Sequence, residues 1–507
     1  MCAGSRFAFV QDMSTPVSRR WVFAGLSAVL ASSAAANPPS TSLRPKLRTP
    51  AARVNAVPSA DALIDAAKLR GKIGFAVAEA SSGKALESRN GNTALPPASV
   101  AKAVTALYAL SVLGGGHRFT TKVVATGGVS GGVVQGDLVL MGGADPTLDS
   151  NHLAALASQL KASGIREVRG RFLIYDGALP REDRIDPDQP DHVGYNPGIA
   201  GIALNFNRVH FEWRRGSGGY QIAMDARTTK LRPDVRMARM KLVARDAPVY
   251  TYSKSRTQED WTVARSALGG NGSRWLPVRL PGLYAGDVFR TLARSNGIVL
   301  PKAALSRSAP GGTLVASHAS APLQTILRDM LKFSNNLTAE MVGMAASRAR
   351  KPAVSSLRGS AGEMNTWAKS ALGMSKIRLV DHSGLGDDSR MSAQEMCAAL
   401  SRIEGQGFGA MLKPFVLRDA KGRPQKAHPV KVVAKTGTLN FVSSLAGYVT
   451  APNGRKLAFA IFTVDEQTRS KISRANRERP QGARSWNRRA KGLQQALIER
   501  WVGLYSG

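Results

Sequence analysis

A serine and a lysine three residues apart, Ser99 and Lys102, are the first residues in this sequence whose types and spacing point to catalysis. Two prolines precede them, and Val100, Val104 and Leu107 recur at helical spacing, which predicts a helix that begins at the serine. Side chains three residues apart project from one helix face, so the amine can reach the hydroxyl. Serine needs an adjacent base to become a strong nucleophile, and lysine acts as that base when burial or neighbouring cations lower its pKa. The pair therefore predicts nucleophilic catalysis.

Two other segments have the same Ser-x-x-Lys spacing, at 81–84 and 158–161. The first is a Ser-Ser-Gly-Lys turn between two apolar runs, which is typical of a hairpin. The second lies on a predicted surface helix without matching partners downstream. Ser99 instead opens a strongly apolar helix that the glycines at 114–116 are expected to end, so this context favours Ser99 as the nucleophile.

Two later motifs complete a candidate site. Ser334-x-Asn336 lies in a predicted loop between helices, and Lys435-Thr436-Gly437 lies on a strand of a predicted terminal hairpin. Alone, the first would be interpreted as a helix cap and the second as an ordinary turn. Both motifs follow Ser99 in the sequence, and the three motifs lie on a helix, a loop and a strand. One shared site is therefore a better hypothesis than a separate cap and turn.

The chemistry of amide cleavage accounts for these residue types. It needs a nucleophile, a base, a proton route to the leaving amine and an oxyanion site. We predict that Ser99 attacks, that Lys102 accepts its proton, and that Ser334 relays a proton to the leaving nitrogen. Asn336 is expected to contact Lys102 and a substrate carbonyl, while Lys435 and Thr436 bind a free carboxylate and Lys435 also lowers the pKa of Lys102. Gly437 lets the substrate approach the strand closely, and the backbone amides of Ser99 and Thr438 bind the oxyanion.

The pattern of elements predicts a catalytic domain in two parts. Before Ser99 the sequence predicts a helix at 60–67 and a hairpin of strands 73–79 and 85–89, and near the end strands at 432–434, 445–450 and 456–464. Between them lies a mainly β block without a catalytic motif of its own. We predict these boundaries: signal peptide 1–36, linker 37–58, catalytic domain 59–120 and 306–466, inserted β-rich part 121–305, and basic C-terminal segment 467–507.

The charge and the N-terminus indicate an exported protein. The 507 residues include 70 Lys+Arg and 35 Asp+Glu, and this net charge of +35 implies anionic surroundings such as nucleic acid, acidic lipid or cell-wall polymer. The N-terminus has the layout of a signal peptide: the pair Arg19-Arg20 is followed by an apolar run and then by small residues that end at Ala36 and form a cleavage site. The paired arginines fit a twin-arginine signal, although the motif around them is incomplete. Export, and the lack of a basic motif interleaved with aromatic residues, argue against nucleic acid and favour a periplasmic location and an anionic wall or membrane surface.

Cysteine and histidine usage predicts neither a disulfide nor a metal site. Cys2 lies in the predicted leader, which leaves Cys397 on an apolar helix as a buried small hydrophobe. The seven histidines show no metal-ligand spacing. We therefore expect no metal and no cofactor.

The three motifs together resemble the class C low-molecular-mass penicillin-binding proteins, the D-alanyl-D-alanine carboxypeptidase/endopeptidase family of DacB type (peptidase family S13). The resemblance runs from about residue 60 to 465 and extends to these segments: Gly142-Gly143-Ala144-Asp145-Pro146-Thr147-Leu148, Tyr195-Asn196-Pro197, Leu204-Asn205-Phe206-Asn207 and Leu445-Ala446-Gly447-Tyr448. It implies an α/β (α+β) fold with a penicillin-binding, transpeptidase-like catalytic domain, whose antiparallel sheet is flanked by helices. It also implies that β-lactams acylate Ser99.

The sequence departs from the family pattern in two places. The family loop Ser-Gly-Leu-Ser-Arg appears here as Ser-Gly-Leu-Gly-Asp at 383–387, so Asp387 stands where a basic residue would meet a side-chain carboxylate of the peptide. We expect Arg390 to compensate. The segment after 465, with ten Lys/Arg and two Asp/Glu between 467 and 507, is also not predicted by the family pattern.

The leading hypothesis is a periplasmic serine D,D-carboxypeptidase/endopeptidase that cleaves D-Ala-D-Ala ends or D,D-crosslinks of peptidoglycan stem peptides. One alternative is a β-lactamase on the same fold, but no motif places a base for the water of fast deacylation, and the large insertion also favours a wall enzyme. The other alternative is a weakly catalytic protein that binds the cell wall, and the intact Ser99, Lys102 and Lys435 argue against it.

Overall fold

The computed structural model describes residues 57–306, 308–419 and 421–506. The predicted leader and nearly all of the predicted linker lie outside these residues. The helices are α1 (Ala60–Ala67), α2 (Ala101–Leu113), α3 (Ser150–Ala162), α4 (Pro281–Ser295), α5 (Leu323–Phe333), α6 (Asn336–Arg350), α7 (Leu357–Leu372), α8 (Ala393–Arg402), α9 (Glu466–Ser470) and α10 (Ala483–Tyr505). Across the described ranges, no helix combines the length and the apolar character that crossing a membrane requires.

The strands vary from short bridging pairs to nine-residue strands near the C-terminus. They are β1 (Lys72–Glu79), β2 (Ala85–Arg89), β3 (Ala94–Leu95), β4 (Thr120–Ala125), β5 (Val129–Ser130), β6 (Val133–Val134), β7 (Leu138–Met141), β8 (Glu167–Val168), β9 (Phe172–Tyr175), β10 (Arg208–Gly216), β11 (Gly219–Asp225), β12 (Ala238–Val243), β13 (Tyr250–Lys254), β14 (Glu259–Ala264), β15 (Gly272–Pro277), β16 (Ala303–Leu305), β17 (Thr313–Ala319), β18 (Met391–Ser392), β19 (Lys413–Pro414), β20 (Lys431–Leu439), β21 (Val442–Thr450) and β22 (Lys456–Val464).

A six-stranded antiparallel sheet organises the part of the chain that carries the motifs. Its strand order is β19-β20-β21-β22-β1-β2, so the N-terminal hairpin joins the C-terminal strands through the pair of β1 with β22. Helices α2, α6 and α8 contribute to the core on one face of the sheet, and α10 packs on the other face. The expected mixed fold, with an antiparallel sheet flanked by helices, is confirmed.

Helix α2 lies at the centre of this arrangement because its sequence offers almost no polar face. Most of its positions are alanine, leucine, valine or tyrosine, and eight of its residues are buried, from Ala101 to Ala109. A helix that is apolar nearly all round is stable only when protein surrounds it. The helix ends at Gly114, whose φ is 79°, as the run of glycines predicts. Its first turn is thereby held in the interior, where it follows the 3₁₀ turn Ala98–Val100.

The inserted region builds its own sheets around a separate core. A mixed five-stranded sheet has the order β16-β9-β7-β4-β17, and three three-stranded sheets have the orders β11-β10-β15, β12-β14-β13 and β5-β6-β8. Strand β17 belongs to the five-stranded sheet although it lies beyond residue 305, the predicted end of the insertion. The domain boundaries themselves stay predictions.

Helices α4 and α7 are elements that sequence patterning does not predict, and the reason is clear for α4. Pro281, Gly282 and Gly286 interrupt the helical signal, because glycine and proline normally disfavour a helix interior. In the structure the proline occupies the first turn, where it is tolerated, and the glycines allow close packing. A Cβ at Gly286 would lie 2.7 Å from the Cβ of Ala303 and 2.8 Å from Ile174. The helix exists because tertiary packing outweighs local propensity.

Candidate active site

The structure brings Ser99 and Lys102 together as the helical spacing predicts. The Nζ atom of Lys102 lies 3.0 Å from the Oγ atom of Ser99. The same amine lies 2.7 Å from Oδ1 of Asn336 and 2.8 Å from the carbonyl oxygen of Ser383. The lysine side chain is fully buried. Its amine therefore has three oxygen neighbours and no contact with bulk water.

Only one of these three neighbours can give the amine a proton. A carbonyl oxygen and an amide oxygen are acceptors without a proton, whereas a hydroxyl both donates and accepts. A neutral Lys102 can donate its two N–H groups to Asn336 and Ser383, and its lone pair then faces the hydroxyl of Ser99. These contacts allow a neutral Lys102 to accept a proton from Ser99.

Burial favours the neutral form of this lysine. Loss of hydration lowers the pKa of Lys102 from 10.5 to about 8, while the carboxylates of Glu340 and Asp381 act in the opposite direction. The sequence interpretation assigned part of the lowering to Lys435. In the structure burial is the main cause, and the charge of Lys102 instead helps burial to lower the pKa of Lys435 well below its usual range.

The motif Ser334-x-Asn336 is more than a helix cap. Asn335, the residue between them, supplies the cap of α6, because its side chain accepts a hydrogen bond of 3.0 Å from the amide of Thr338. Ser334 has a φ of 57°, a left-handed conformation that is uncommon for serine. With the cap supplied by Asn335, the side chains of Ser334 and Asn336 are available to the site.

Asn336 connects the lysine to the inserted region. Its Oδ1 accepts from Lys102, and its Nδ2 donates to the backbone carbonyl of Tyr195 at 3.0 Å. An amide nitrogen carries two protons, so a second N–H remains for a substrate carbonyl. The insertion therefore helps to orient a residue of the candidate site.

The third motif lies on β20, at the side of the sheet next to Ser99. The amine of Lys435 is buried and donates to Oγ of Ser334 at 2.9 Å and to the carbonyl of Thr436 at 2.7 Å. The hydroxyl-bearing Thr436 and Thr438 are exposed. The structure thus links the second and third motifs through Ser334 and Lys435, and the first and second through Lys102 and Asn336.

Gly437 permits the close approach of β20 to the segment that carries Ser99. A Cβ at this position would lie 2.7 Å from the carbonyl oxygen of Pro97 and 3.0 Å from the amide nitrogen of Ser99. Such distances are too short for a real Cβ, so any other residue would move the strand away. The expected oxyanion donors, the amides of Ser99 and Thr438, depend on this approach.

Sequence reasoning missed two buried carboxylates behind the lysine. Glu340 accepts from the backbone amides of His382 and Ser383, at 2.8 and 2.9 Å, and Asp381 accepts from two further amides of the same loop. Burial raises the pKa of Glu340 to about 8 and also raises that of Asp381. The sequence offers one signal for Glu340: it follows Asn336 by four residues, about one helical turn, so both side chains lie on the same face of the helix.

A cavity of about 290 Å³ opens beside Ser99. Its wall includes Asp387, Arg469 and Arg477, and the carboxylate of Asp387 pairs with Arg469 and lies 3.0 Å from Nη1 of Arg477. Arg390, expected to compensate for Asp387, instead donates to backbone carbonyls of its own loop and is not part of this wall. The cations near Asp387 come from the segment after residue 465.

A group that could hold a metal lies in the insertion, away from the three motifs. Ligand atoms of His210, Glu212 and Asp225 lie within 4.8 Å of one another. Arg227 donates to both carboxylates, at 2.8 Å in the case of Asp225, and Arg214 also pairs with Glu212. These arginines already neutralise the carboxylates, so the arrangement is an ion-pair network that supports no metal proposal.

Comparisons with known proteins agree with this geometry. Residues 58–481 match the model of the D-Ala-D-Ala carboxypeptidase 3 (S13) family. The D-alanyl-D-alanine carboxypeptidase of Actinomadura sp. (strain R39) is 31% identical over 435 residues, which cover 79% of each chain. The D-alanyl-D-alanine carboxypeptidase DacB of Haemophilus influenzae is 26% identical over 77% of this chain and 85% of that protein.

A solved structure has the same fold. The crystal structure of penicillin binding protein 4 (dacB) from Haemophilus influenzae aligns with a TM-score of 0.67 and 21% identity, over 88% of this chain and 98% of that one. The family match, which spans most of the chain, confirms the resemblance inferred from the motifs. This chain belongs to the D-Ala-D-Ala carboxypeptidase 3 (S13) family of serine peptidases.

Proposed function

We propose that this chain is an exported serine D,D-peptidase that removes the last residue from D-Ala-D-Ala ends, and cleaves D,D-crosslinks, of peptidoglycan stem peptides. The observation that carries the proposal is the environment of the Lys102 amine, where Ser99 is the only one of its three partners that can donate a proton. Family membership supports the same activity.

Acylation uses the three motifs in sequence. Lys102 accepts the hydroxyl proton while Oγ of Ser99 attacks the carbonyl carbon of the penultimate D-Ala. The amides of Ser99 and Thr438 stabilise the oxyanion. The carbon–nitrogen bond then breaks, and Ser334 passes a proton to the leaving amine. Ser334 regains a proton from the ammonium of Lys435, which it contacts, and the proton that Lys102 accepted returns to the amine of Lys435, so Lys102 is neutral again before deacylation.

Substrate binding and deacylation follow from the same residues. Lys435 and Thr436 hold the carboxylate of the leaving residue, and the second N–H of Asn336 binds a carbonyl of the peptide. Water then attacks the ester of Ser99, Lys102 assists as the base, and the proton returns to Oγ when the acid is released. Each catalytic cycle hydrolyses one amide bond with one water molecule.

β-Lactams are expected to acylate Ser99 because they present a strained amide and a carboxylate. The penicillin binding protein 4 of Haemophilus influenzae, similar in fold with a TM-score of 0.64, was crystallised with a β-lactam. A stable ester forms when water cannot attack the trapped acyl group quickly.

Intact-mass spectrometry after exposure to benzylpenicillin tests the proposal. We expect an adduct of one drug mass on the protein and none on Ser99→Ala. Ser81→Ala and Ser158→Ala are matched controls, because each removes the serine of another Ser-x-x-Lys segment, and both should retain the adduct. Rapid drug hydrolysis without an accumulated adduct would indicate a β-lactamase. If neither an adduct nor hydrolysis is observed, the wall-binding protein is the remaining alternative.

We also propose export through the predicted signal peptide, residues 1–36, and a periplasmic location near anionic wall polymer or membrane. The net charge of +35 and the cell-wall chemistry of the family support this location. N-terminal sequencing of the protein from a periplasmic extract should begin at Asn37. Replacement of Arg19 and Arg20 by lysine should block export only if the twin-arginine route is used.

A further inference from the structure

A long groove continues from the candidate active site along helix α10. It has a volume of about 1050 Å³ and runs between α10 and the edge of the sheet formed by β19 and β20. Thr436 and Thr438 lie at its inner end, and Thr438 also lines the cavity beside Ser99. The groove, here called the α10 groove, is therefore continuous with the catalytic residues on the side of Thr436.

The α10 groove is rich in positive charge. Arg484, Arg488 and Lys491 follow one another at spacings of four and three residues, so they lie on one face of α10, and Lys413 of β19 faces the same space. Within the described part of the chain, none of these four side chains lies within ion-pairing distance of a carboxylate. The salt bridges near the groove join Arg423 to Asp419 and Arg500 to Glu87. The groove wall also includes Asp419, which pairs with Arg423, and Glu499, which accepts from Gln495, so the four cations remain without an ion-pair partner among the described residues and favour an anionic ligand.

Helix α10 is held rigidly in this position. Its opposite face, with Leu493, Leu497 and Trp501, is buried against the sheet. The family match ends at residue 481, before the helix begins. The cationic face therefore belongs to a firmly packed element that lies after the matched residues 58–481.

The position of Thr436 indicates what enters the groove. In the proposed reaction Thr436 holds the carboxylate of the leaving residue, so the α10 groove lies on the leaving-group side of the cleaved bond. A free D-Ala ends at that carboxylate. In a D,D-crosslink the leaving amine belongs to a side chain of a second stem peptide, which continues beyond Thr436 and carries further carboxylates. The groove has the size of a site for a ligand much larger than one amino acid.

We propose that the α10 groove binds the leaving stem peptide of a D,D-crosslink through its carboxylates, and that this contact favours crosslinked substrates over free D-Ala-D-Ala ends. The inference rests on the proposed function. The bond cleaved is the amide between the D-Ala carbonyl and the side-chain amine of the second peptide. Ser99, Lys102 and Ser334 act as before, and water is the only co-reactant.

The test compares two substrates of the full-length mature enzyme. One is a disaccharide tetrapeptide dimer joined by a D-Ala-to-side-chain-amine bond, and the other is a monomeric pentapeptide that ends in D-Ala-D-Ala. The variant is Arg484→Gln/Arg488→Gln/Lys491→Gln. Its matched control is Lys161→Gln/Lys369→Gln/Arg489→Gln, which removes three charges from exposed helical positions outside the groove.

We expect the groove variant to lower the ratio of kcat/KM for the dimer to kcat/KM for the pentapeptide by about tenfold, since each exposed charge pair contributes modestly. The control triple should leave the ratio within about twofold of the wild type. A dimer whose free carboxylates are amidated should be cleaved equally by the groove variant and the wild type. Added salt should reduce dimer cleavage by the wild type more than by the variant.

Other outcomes overturn the inference in distinguishable ways. If the wild type is acylated by benzylpenicillin but the ratio is unchanged in the groove variant, the groove does not select crosslinks. If both variants lower the ratio equally, total charge rather than the groove is responsible. If wild-type Ser99 is not acylated and neither substrate is cleaved, the proposed function fails and the groove proposal fails with it.

Discussion

Lys102 beside the large sheet and Arg279 in the inserted region are both fully buried cations. Burial lowers the pKa of both, to about 8 for Lys102 and to about 10 for Arg279. Each has a buried glutamate nearby whose pKa burial raises, Glu340 to about 8 and Glu259 to about 7. By charge and burial alone the two clusters are alike.

Their hydrogen-bond partners differ. Lys102 contacts a serine hydroxyl that opens onto a cavity, whereas the guanidinium of Arg279 donates to backbone carbonyls of Asn196 and Asp191. Glu259 accepts from the backbone amides of Arg279 and Leu280, at 2.7 Å each. Shifted pKa values therefore accompany both the structural cluster at Arg279 and the candidate catalytic cluster at Lys102. The second differs in having a hydroxyl partner beside an open cavity.

The largest effect is expected from Lys102→Met, which keeps the length and removes the base. Acylation of Ser99 by benzylpenicillin should fall by about 10³-fold, the usual range for loss of a positioned proton acceptor. Stopped-flow or mass-spectrometric acylation rates measure this. A variant that still acylates within about tenfold of the wild type would show that another group is the base.

The matching change in the other cluster, Arg279→Met, should act on stability. Removal of one partner from a buried ionic cluster typically costs about 3 kcal/mol or more, because Glu259 then lacks a compensating charge. Urea unfolding measures the loss, and Arg214→Met, which removes an exposed cation, is the control. Acylation by the folded fraction should change far less than in Lys102→Met. A catalytic defect without destabilisation would contradict the distinction between the clusters.

The pH dependence sharpens the comparison. Only neutral Lys102 can accept the proton, and burial lowers its pKa to about 8. The acylation rate should therefore rise by about tenfold per pH unit at low pH and level off above about pH 8. Rates of penicillin acylation from about pH 5 to 9 measure this, and a flat profile below pH 8 would contradict it.

The smallest effect is expected from Glu340→Gln. Loss of this carboxylate removes a charge that raises the pKa of Lys102, so the midpoint of the pH profile should move to lower pH. The amide offers one acceptor oxygen to two backbone N–H groups, which should cost about 1 kcal/mol of stability or more. Glu404→Gln, beside the partly exposed Lys456, is the control and should leave the midpoint unchanged.

Local patterns were sufficient to predict the elements that carry the candidate site. The helix after Ser99, the loop at Ser334 and the strand at Lys435 each follow from spacing, turn residues or alternation in nearby sequence. The hairpin of β1 and β2 was predicted for the same reason, and its strands lie almost where expected.

Contacts between distant segments could not be predicted. Glu340 and Asp381 raise the pKa of Lys102 because α6 and the loop at 381–386 pack around α2. No local sequence pattern predicts that these segments are in contact. Likewise, sequence patterning describes the tail as basic and predicts a helix at about 493–504, but it does not predict where that helix packs. Its packing on the sheet through Trp501, and the cationic groove that results, depend on which face of α10 the sheet covers.

The pairing of β1 with β22 has a consequence for biosynthesis. The strand before Ser99 finds its neighbour only when residues 456–464 have been made, and the strand with Lys435 is also a late product of translation. Such non-local pairing delays folding of the site until most of the chain is available. A nascent or truncated chain carries Ser99 and Lys102 without the strand that carries Lys435. Under the proposed mechanism, the enzyme is therefore inactive until its synthesis is nearly finished.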